Sequence, residues 1–231
     1  MTQHWLPTDP PLELTLRRSA RARRFSLRVS RLDGRVMLTL PTRASEAEAL
    51  AFARSKADWL RQMQAAAPVG RYLADGQMLP VEGVARRLTP APLRVPRIEG
   101  EALLVPAGRD PGPVVQAWLR QLARTRLIAA CDRHAARLGR RIAAVSLRDT
   151  RSRWGSCTHD GRLMFSWRLI LAPPEVLDYV AAHEVAHLAE MNHSPAFWAV
   201  VARLMPDYAR HRDWLRRHGA GLHAWQFTAR D

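Results

Sequence analysis

Over the first forty positions, apolar residues alternate with polar ones in three runs. Leu12, Leu14 and Leu16 make the first, Phe25, Leu27 and Val29 the second, and Val36, Leu38 and Leu40 the third. A period of two is that of a strand with one face on a core. Asp33-Gly34 between the last two runs is a hairpin signal, so the pattern predicts a small meander ended by Pro41. The period then becomes helical. Ser45-Glu46-Ala47-Glu48 reads as the start of a helix to about Gln64, with Leu50, Ala53, Ala57 and Leu60 on one face. Ala65-Ala66-Ala67-Pro68 breaks it. Residues 71–106 read as further short strands, turning at Asp75-Gly76, Glu82-Gly83 and Glu99-Gly100. Pro111-Gly112-Pro113 opens a long helix to about Leu138 that carries Val114, Trp118, Leu122 and Ile128.

The second half predicts a strand at 143–148, a loop at 149–160 and a strand at 162–168. Helices follow at 174–190, 195–204 and 207–218, with Gly219 as the C-cap of the last. The class is therefore α+β, with a β-rich part over 1–110 packed on a helical part over 111–231. The pattern suggests no internal repeat.

The helix at 174–190 has two characters. Its start is marked by Pro173-Pro174-Glu175. Leu177, Ala181, Val185 and Leu188 fall on one face, with Ala182, Ala186 and Ala189 beside them. The remaining face carries Val180, His183, Glu184 and His187. Residues four apart share a face, so His183 and His187 can aim two imidazoles at one metal ion. Glu184 lies about 100° around the helix from His183 and can reach a water there without being a ligand. The pentapeptide H-E-x-x-H fixes only three positions and recurs by chance; its place on a helix with a separate core face gives it weight. Asn192 tolerates the left-handed conformation that ends helices, and Ser194-Pro195 reads as the N-cap and first residue of the next one. His193 thus sits at a turn between two helices. It is either a third ligand or an exposed loop residue.

Three further stretches surround this helix: Arg153-Trp154-Gly155-Ser156-Cys157-Thr158, the run Phe165-Ser166-Trp167-Arg168-Leu169-Ile170-Leu171-Ala172-Pro173, and Asn192-His193-Ser194-Pro195-Ala196-Phe197-Trp198. With the H-E-x-x-H helix they closely resemble the YgjP-like metallopeptidase domain, a family related to SprT-like and other compact zincins. The resemblance runs from about Leu14 to Gly219 and includes Arg24-Phe25-Ser26-Leu27-Arg28-Val29. It implies a zincin-like C-terminal part and a Zn²⁺ ion bound by His183, His187 and His193. It also implies that Glu184 is the general base of peptide hydrolysis. In zincins generally an extended peptide lies along an edge strand above the metal; by resemblance that strand is Gly161 to Trp167. Arg153, Trp154 and Ser156, just before it, are candidates for substrate binding. The rival reading is that Trp154 plugs the core and Arg153 pairs with an acid. Tyr179, Tyr208 and Met205 read as structural.

Composition changes this picture in two ways. The formal net charge is +15, from 36 basic residues of which Lys56 is the only lysine. A surplus of this size attracts polyanions, and the run from Arg17 to Arg24 could contact nucleic-acid phosphates. This opens a second reading: a nucleic-acid-associated binding protein with a structural or weakly active zinc site. Glu184 argues against it, because structural zinc sites are usually closed by four protein ligands, and no fourth is evident near the motif. The two cysteines, Cys131 and Cys157, make no disulfide framework. The chain holds no apolar run of about 18 residues and no N-terminal secretory pattern. A cytoplasmic zinc metallopeptidase without a membrane partner is the resulting expectation.

Overall fold

The structure, a computed structural model, describes residues 2–30, 33–65 and 70–228. The chain forms two compact units, Met1–Gly70 and Arg71–Asp231. The division falls well before residue 110, where the sequence reading placed it. Leu79, Val81, Leu88, Leu103 and Val105, from the expected N-terminal part, share one buried cluster with Val115, Leu119 and the C-terminal helices. The Ala65–Pro68 break was the better marker, although residues 66–69 lie outside the described ones.

The first unit contains β1 (Thr2–Leu6), β2 (Leu12–Ser19), β3 (Ser26–Val29) and β4 (Val36–Pro41), then α1 (Glu46–Arg54) and α2 (Ala57–Ala65). Its sheet has the order β1-β2-β4-β3. The expected meander is therefore wrong in one respect: β3 and β4 do form an antiparallel pair, but β4 lies parallel to β2. Burial explains the order. Val36, Leu38 and Leu40 are all fully buried, so β4 takes a central place, whereas Leu27 and Val29 are only half-buried and β3 takes the edge. The helix expected over 45–64 is also interrupted. Ser45 caps α1, accepting from the Glu48 N–H, and the chain turns at Ser55, whose hydroxyl donates to the Phe52 carbonyl.

The second unit begins with β5 (Arg71–Tyr72), β6 (Met78–Val81), β7 (Val84–Ala91), β8 (Arg97–Glu99) and β9 (Ala102–Pro106), followed by α3 (Pro111–Leu138). The sheet order β6-β7-β9-β8 repeats that of the first unit, with a parallel central pair again. The registers correspond: Leu16 faces Leu38 and Ser19 faces Pro41, as Leu88 faces Leu103 and Ala91 faces Pro106. The sequence follows suit. Arg28-Val29-Ser30-Arg31-Leu32-Asp33-Gly34 matches Arg94-Val95-Pro96-Arg97-Ile98-Glu99-Gly100, and Trp59-Leu60-Arg61-Gln62 matches Trp118-Leu119-Arg120-Gln121. Gly34 and Gly100 both have positive φ, 69° and 58°, a conformation glycine adopts without strain. The expectation of no internal repeat is corrected: a motif of a four-stranded sheet followed by a helix occurs twice, the first copy longer than the second.

From α3 onward the elements are those that carry the site. Asp110 caps α3 by accepting from the Gly112 N–H at 2.9 Å, and Gly139 ends it at φ 69°. Its buried stripe is Val115, Leu119, Ala123, Leu127, Ala130, Cys131, His134 and Ala135. The expected set is rotated from this, with Trp118 and Leu122 at its flank. Next come β10 (Ala144–Arg148), β11 (Gly155–Cys157), β12 (Arg162–Ser166) and a 3-10 turn (Trp167–Leu171). The helices α4 (Pro174–Ala186), α5 (Pro195–Leu204) and α6 (Tyr208–Leu222) precede β13 (Trp225–Gln226), which pairs with β5. The β6–β7 turn holds the start of α4. Glu82 N–H donates to the Ile170 carbonyl at 2.7 Å, and a Cβ at Gly83 would come within 2.9 Å of Pro173. No helix among the described residues is long and apolar enough to cross a membrane.

Candidate metal centre

Helix α4 runs through the middle of the second unit's core, and its burial leaves one side open. Val176, Leu177, Ala181, Ala182, Val185 and Ala186 are buried. Asp178, on the α3 side, accepts from Arg133 at 2.9 Å and pairs with His134 Nε2 at 3.0 Å. The helix ends at Ala186, earlier than the expected 190, with His187 as its C-cap. Asn192 does not adopt a left-handed conformation. The chain instead tightens through short turns, Leu188 N–H to the Val185 carbonyl and Glu190 N–H to the Ala186 carbonyl. His183 and His187 keep their shared face. Ser194 then caps α5, accepting from the Phe197 N–H, and the turn before it brings His193 back over α4.

The result is a convergence of three imidazoles. One nitrogen from each of His183, His187 and His193 lies within 4.8 Å of the others. His183 Nε2 and His193 Nε2 are 3.0 Å apart. His187 Nδ1 is 3.0 Å from the Glu190 carbonyl; a carbonyl only accepts, so Nδ1 carries the proton and the Nε2 lone pair is free. Burial lowers the His183 pKa to about 3, helped by His187, His193 and the Arg212 charge. Burial also lowers His187. Three imidazole nitrogens this close together fit a divalent transition metal. The rings pack on Phe197, 4.5 Å from His187 and 4.8 Å from His193, which fixes their planes.

Glu184 is only 5% exposed. Burial raises its carboxyl to about 8 against the opposing charge of Arg153. Gly155 gives it room: a Cβ there would stand 2.5 Å from Glu184 Oε1 and 2.6 Å from its Cγ. The cleft over the histidines is walled by Arg153, Gly155, Ser156 and Cys157, that is, by β11 and the residues just before it. In the three-stranded sheet the order is β10-β12-β11. The strand expected at the edge, Gly161 to Trp167, is therefore the central one. β11 pairs with β12 on one side only, so the free edge at the cleft is Gly155–Cys157.

The three candidate substrate residues separate. Arg153 is exposed and Ser156 half-buried, and both line the cleft. Trp154 turns the other way: its ring lies 4.8 Å from His223 and 3.0 Å from where a Cβ on Gly219 would be. Gly219 is consequently not a C-cap. It lies inside α6, where the absence of a side chain admits the indole. Cys157, with its thiol raised to about 11 by burial and the nearby Glu184 and Asp160, also lines the cleft. Arg17 to Arg24 lie in the first unit, at the end of β2 and in the turn beyond it; Arg21, Arg23 and Arg24 are exposed. Gly155, Trp198 and Arg212 escaped the sequence reading. Gly155 and Trp198 left a signal, as members of the family-like stretches; Arg212 left none.

A sequence model described as the YgjP-like metallopeptidase domain matches residues 23–218. Among solved structures, the crystal structure of the metallopeptidase zymogen of Pyrococcus abyssi abylysin is similar over 40% of this chain and 92% of that chain, at 20% identity and a TM-score of 0.36. No curated protein matches the chain.

Proposed function

The chain belongs to the YgjP-like metallopeptidase family, and from that premise we propose that it is a zinc-dependent peptidase. In this reading His183, His187 and His193 hold the metal and Glu184 is the general base. One observation carries it: a nitrogen from each of three imidazoles converges within 4.8 Å of the others, beside the buried carboxyl group of Glu184, the residue that follows His183 on the same helix. Three nitrogen donors that leave a coordination position open favour Zn²⁺, which when bound supplies a Lewis acid that acidifies water and polarises a carbonyl.

The protein's own groups do the rest. Glu184 accepts a proton as the oxygen of water bonds to the scissile carbonyl carbon. It then gives that proton to the amine nitrogen as the C–N bond breaks. Its packing against Gly155 leaves its carboxylate little freedom, so the base is held ready. The free edge of β11 offers backbone groups for an extended peptide, a recognition mode that reads main chain more than side chain. Ser156 stands on that edge and Arg153 just before it, and both are proposed substrate contacts. Trp154 supports the strand from behind.

The test is Glu184→Gln, which keeps size and polarity and loses the base. Metal content, read by elemental analysis, should stay at one zinc per chain. Hydrolysis of a verified peptide should fall by about 10²-fold or more. Equal cleavage by the variant would refute the assignment. The nucleic-acid reading finds no support in the comparisons or in the site.

A further inference from the structure

Beside the histidines lies a cation that the reaction above does not use. Arg212 leaves α6 and places its Cζ 4.6 Å from the centre of the Trp198 ring. Trp198, from α5, is itself fixed, stacked on Tyr208 at 5.3 Å and 19°. Its ring lies 5.8 Å from that of His183 and 5.9 Å from that of His193. The guanidinium is thus within roughly 10 Å of the His183 ring, about three residues of extended chain.

The acids of α6 are committed elsewhere. Asp213 pairs with Arg216 and Arg217, and Asp207 with His211. Among the described residues no carboxylate meets Arg212, and the side chain is exposed. Stacking engages the flat face of a guanidinium and leaves its N–H edge free. That edge matches a carboxylate in two-point geometry.

We propose that Arg212 is a specificity-determining residue that recognises a carboxylate within about three residues of the scissile bond, so that acidic peptides are the preferred substrate class. The proposal rests on the peptidase reading. The carboxylate is that of a Glu or Asp side chain, or the C-terminus of the peptide; the chemistry is the same, and the two are separated below.

The experiment uses the zinc-loaded full chain and one cleavable peptide with blocked ends. Glu, Gln or Lys is placed in turn at each of three positions on either side of the cut bond. A matched Gln peptide ends in a free carboxylate near the bond. The protein should favour Glu over Gln in kcat/KM by on the order of tenfold at one position, the scale of a hydrogen-bonded ion pair. Arg212→Gln should erase the preference, and Arg212→Glu should turn it towards Lys. If the free-ended Gln peptide is the one favoured, the carboxylate recognised is the chain terminus. Fluorescence anisotropy of the same peptides on Glu184→Gln gives the order of binding without turnover. A variant that loses activity equally on every peptide while keeping the preference for a carboxylate overturns the proposal, as does the absence, in both assays, of any preference for either the Glu peptide or the free-ended peptide over the blocked Gln peptide. Failure of the peptidase reading shows separately, as equal cleavage by the wild type and Glu184→Gln.

Discussion

Gly155 has no side chain where Glu184 needs space. With Ala there, the methyl would stand 2.5 Å from Oε1, closer than real contacts allow, and the carboxylate would swing away from the histidines. If Glu184 is the base proposed above, displacing it by an ångström costs on the order of 10²-fold, so Gly155→Ala should cut poorly with its zinc content unchanged. Steady-state kinetics beside elemental analysis checks this; full activity would mean that Glu184 has room the packing does not reveal. His193 differs from its two partners in that it hangs from a turn and is exposed. His193→Ala should leave the helix pair in place and weaken metal retention strongly, as measured by competition with a chelator. Undiminished zinc affinity would remove His193 from the set.

Helices α3 and α4 meet around Asp178. Burial alone would raise its carboxyl, but the His134 hydrogen bond and the charges of His134 and Arg133 outweigh it, and the pKa ends below the usual range. A carboxylate with a depressed folded pKa adds stability that is fully present above its unfolded value, near 4. That stability is lost as the pH falls through the folded value. Asp178→Asn should therefore be less stable than the parent by about 1–3 kcal/mol at neutral pH. The gap should close below about pH 4. Chemical denaturation at pH 7, 5 and 3 tests the sign, and a gap that widens in acid would contradict the linkage. Helix α4 carries two of the three proposed metal ligands, so some loss of zinc at neutral pH should accompany the substitution.

The whole molecule contains one motif twice, with two outcomes. The first copy ends in α1 and α2 and closes its own cluster around Leu14, Leu38, Leu40 and Leu60. The second copy continues into α3 and shares its cluster with every element of the metal centre. The two clusters have no residue in common. A fragment spanning 71–231 should therefore fold and bind zinc by itself, whereas one spanning 111–231 should not, since it lacks Leu79, Val81, Leu88, Leu103 and Val105. Circular dichroism and metal content of the two fragments decide this. A folded 111–231 fragment would restore the domain boundary that the sequence suggested.

The cluster of His183, His187 and His193 was legible because its information is local. H-E-x-x-H, the Ser194-Pro195 cap and the proline-led start of α4 depend on 3.6 residues per turn and on which groups a helix end leaves unpaired. Residues a few positions apart determine them. The same holds for the alternation of Leu12 to Leu16 and Val36 to Leu40. What only the tertiary structure decided involves partners far apart in the chain. Local alternation says that Arg162–Ser166 is a strand, but not that Ala144–Arg148 and Gly155–Cys157 flank it. Gly219 looks like a helix end until Trp154, from far along the chain, needs its space. Arg212 is one arginine among many until α6 lays it on Trp198 beside His183 and His193. Such pairings follow from which apolar faces close on one another in the core. That choice is made by the summed packing of the whole unit, and no short stretch of sequence contains it.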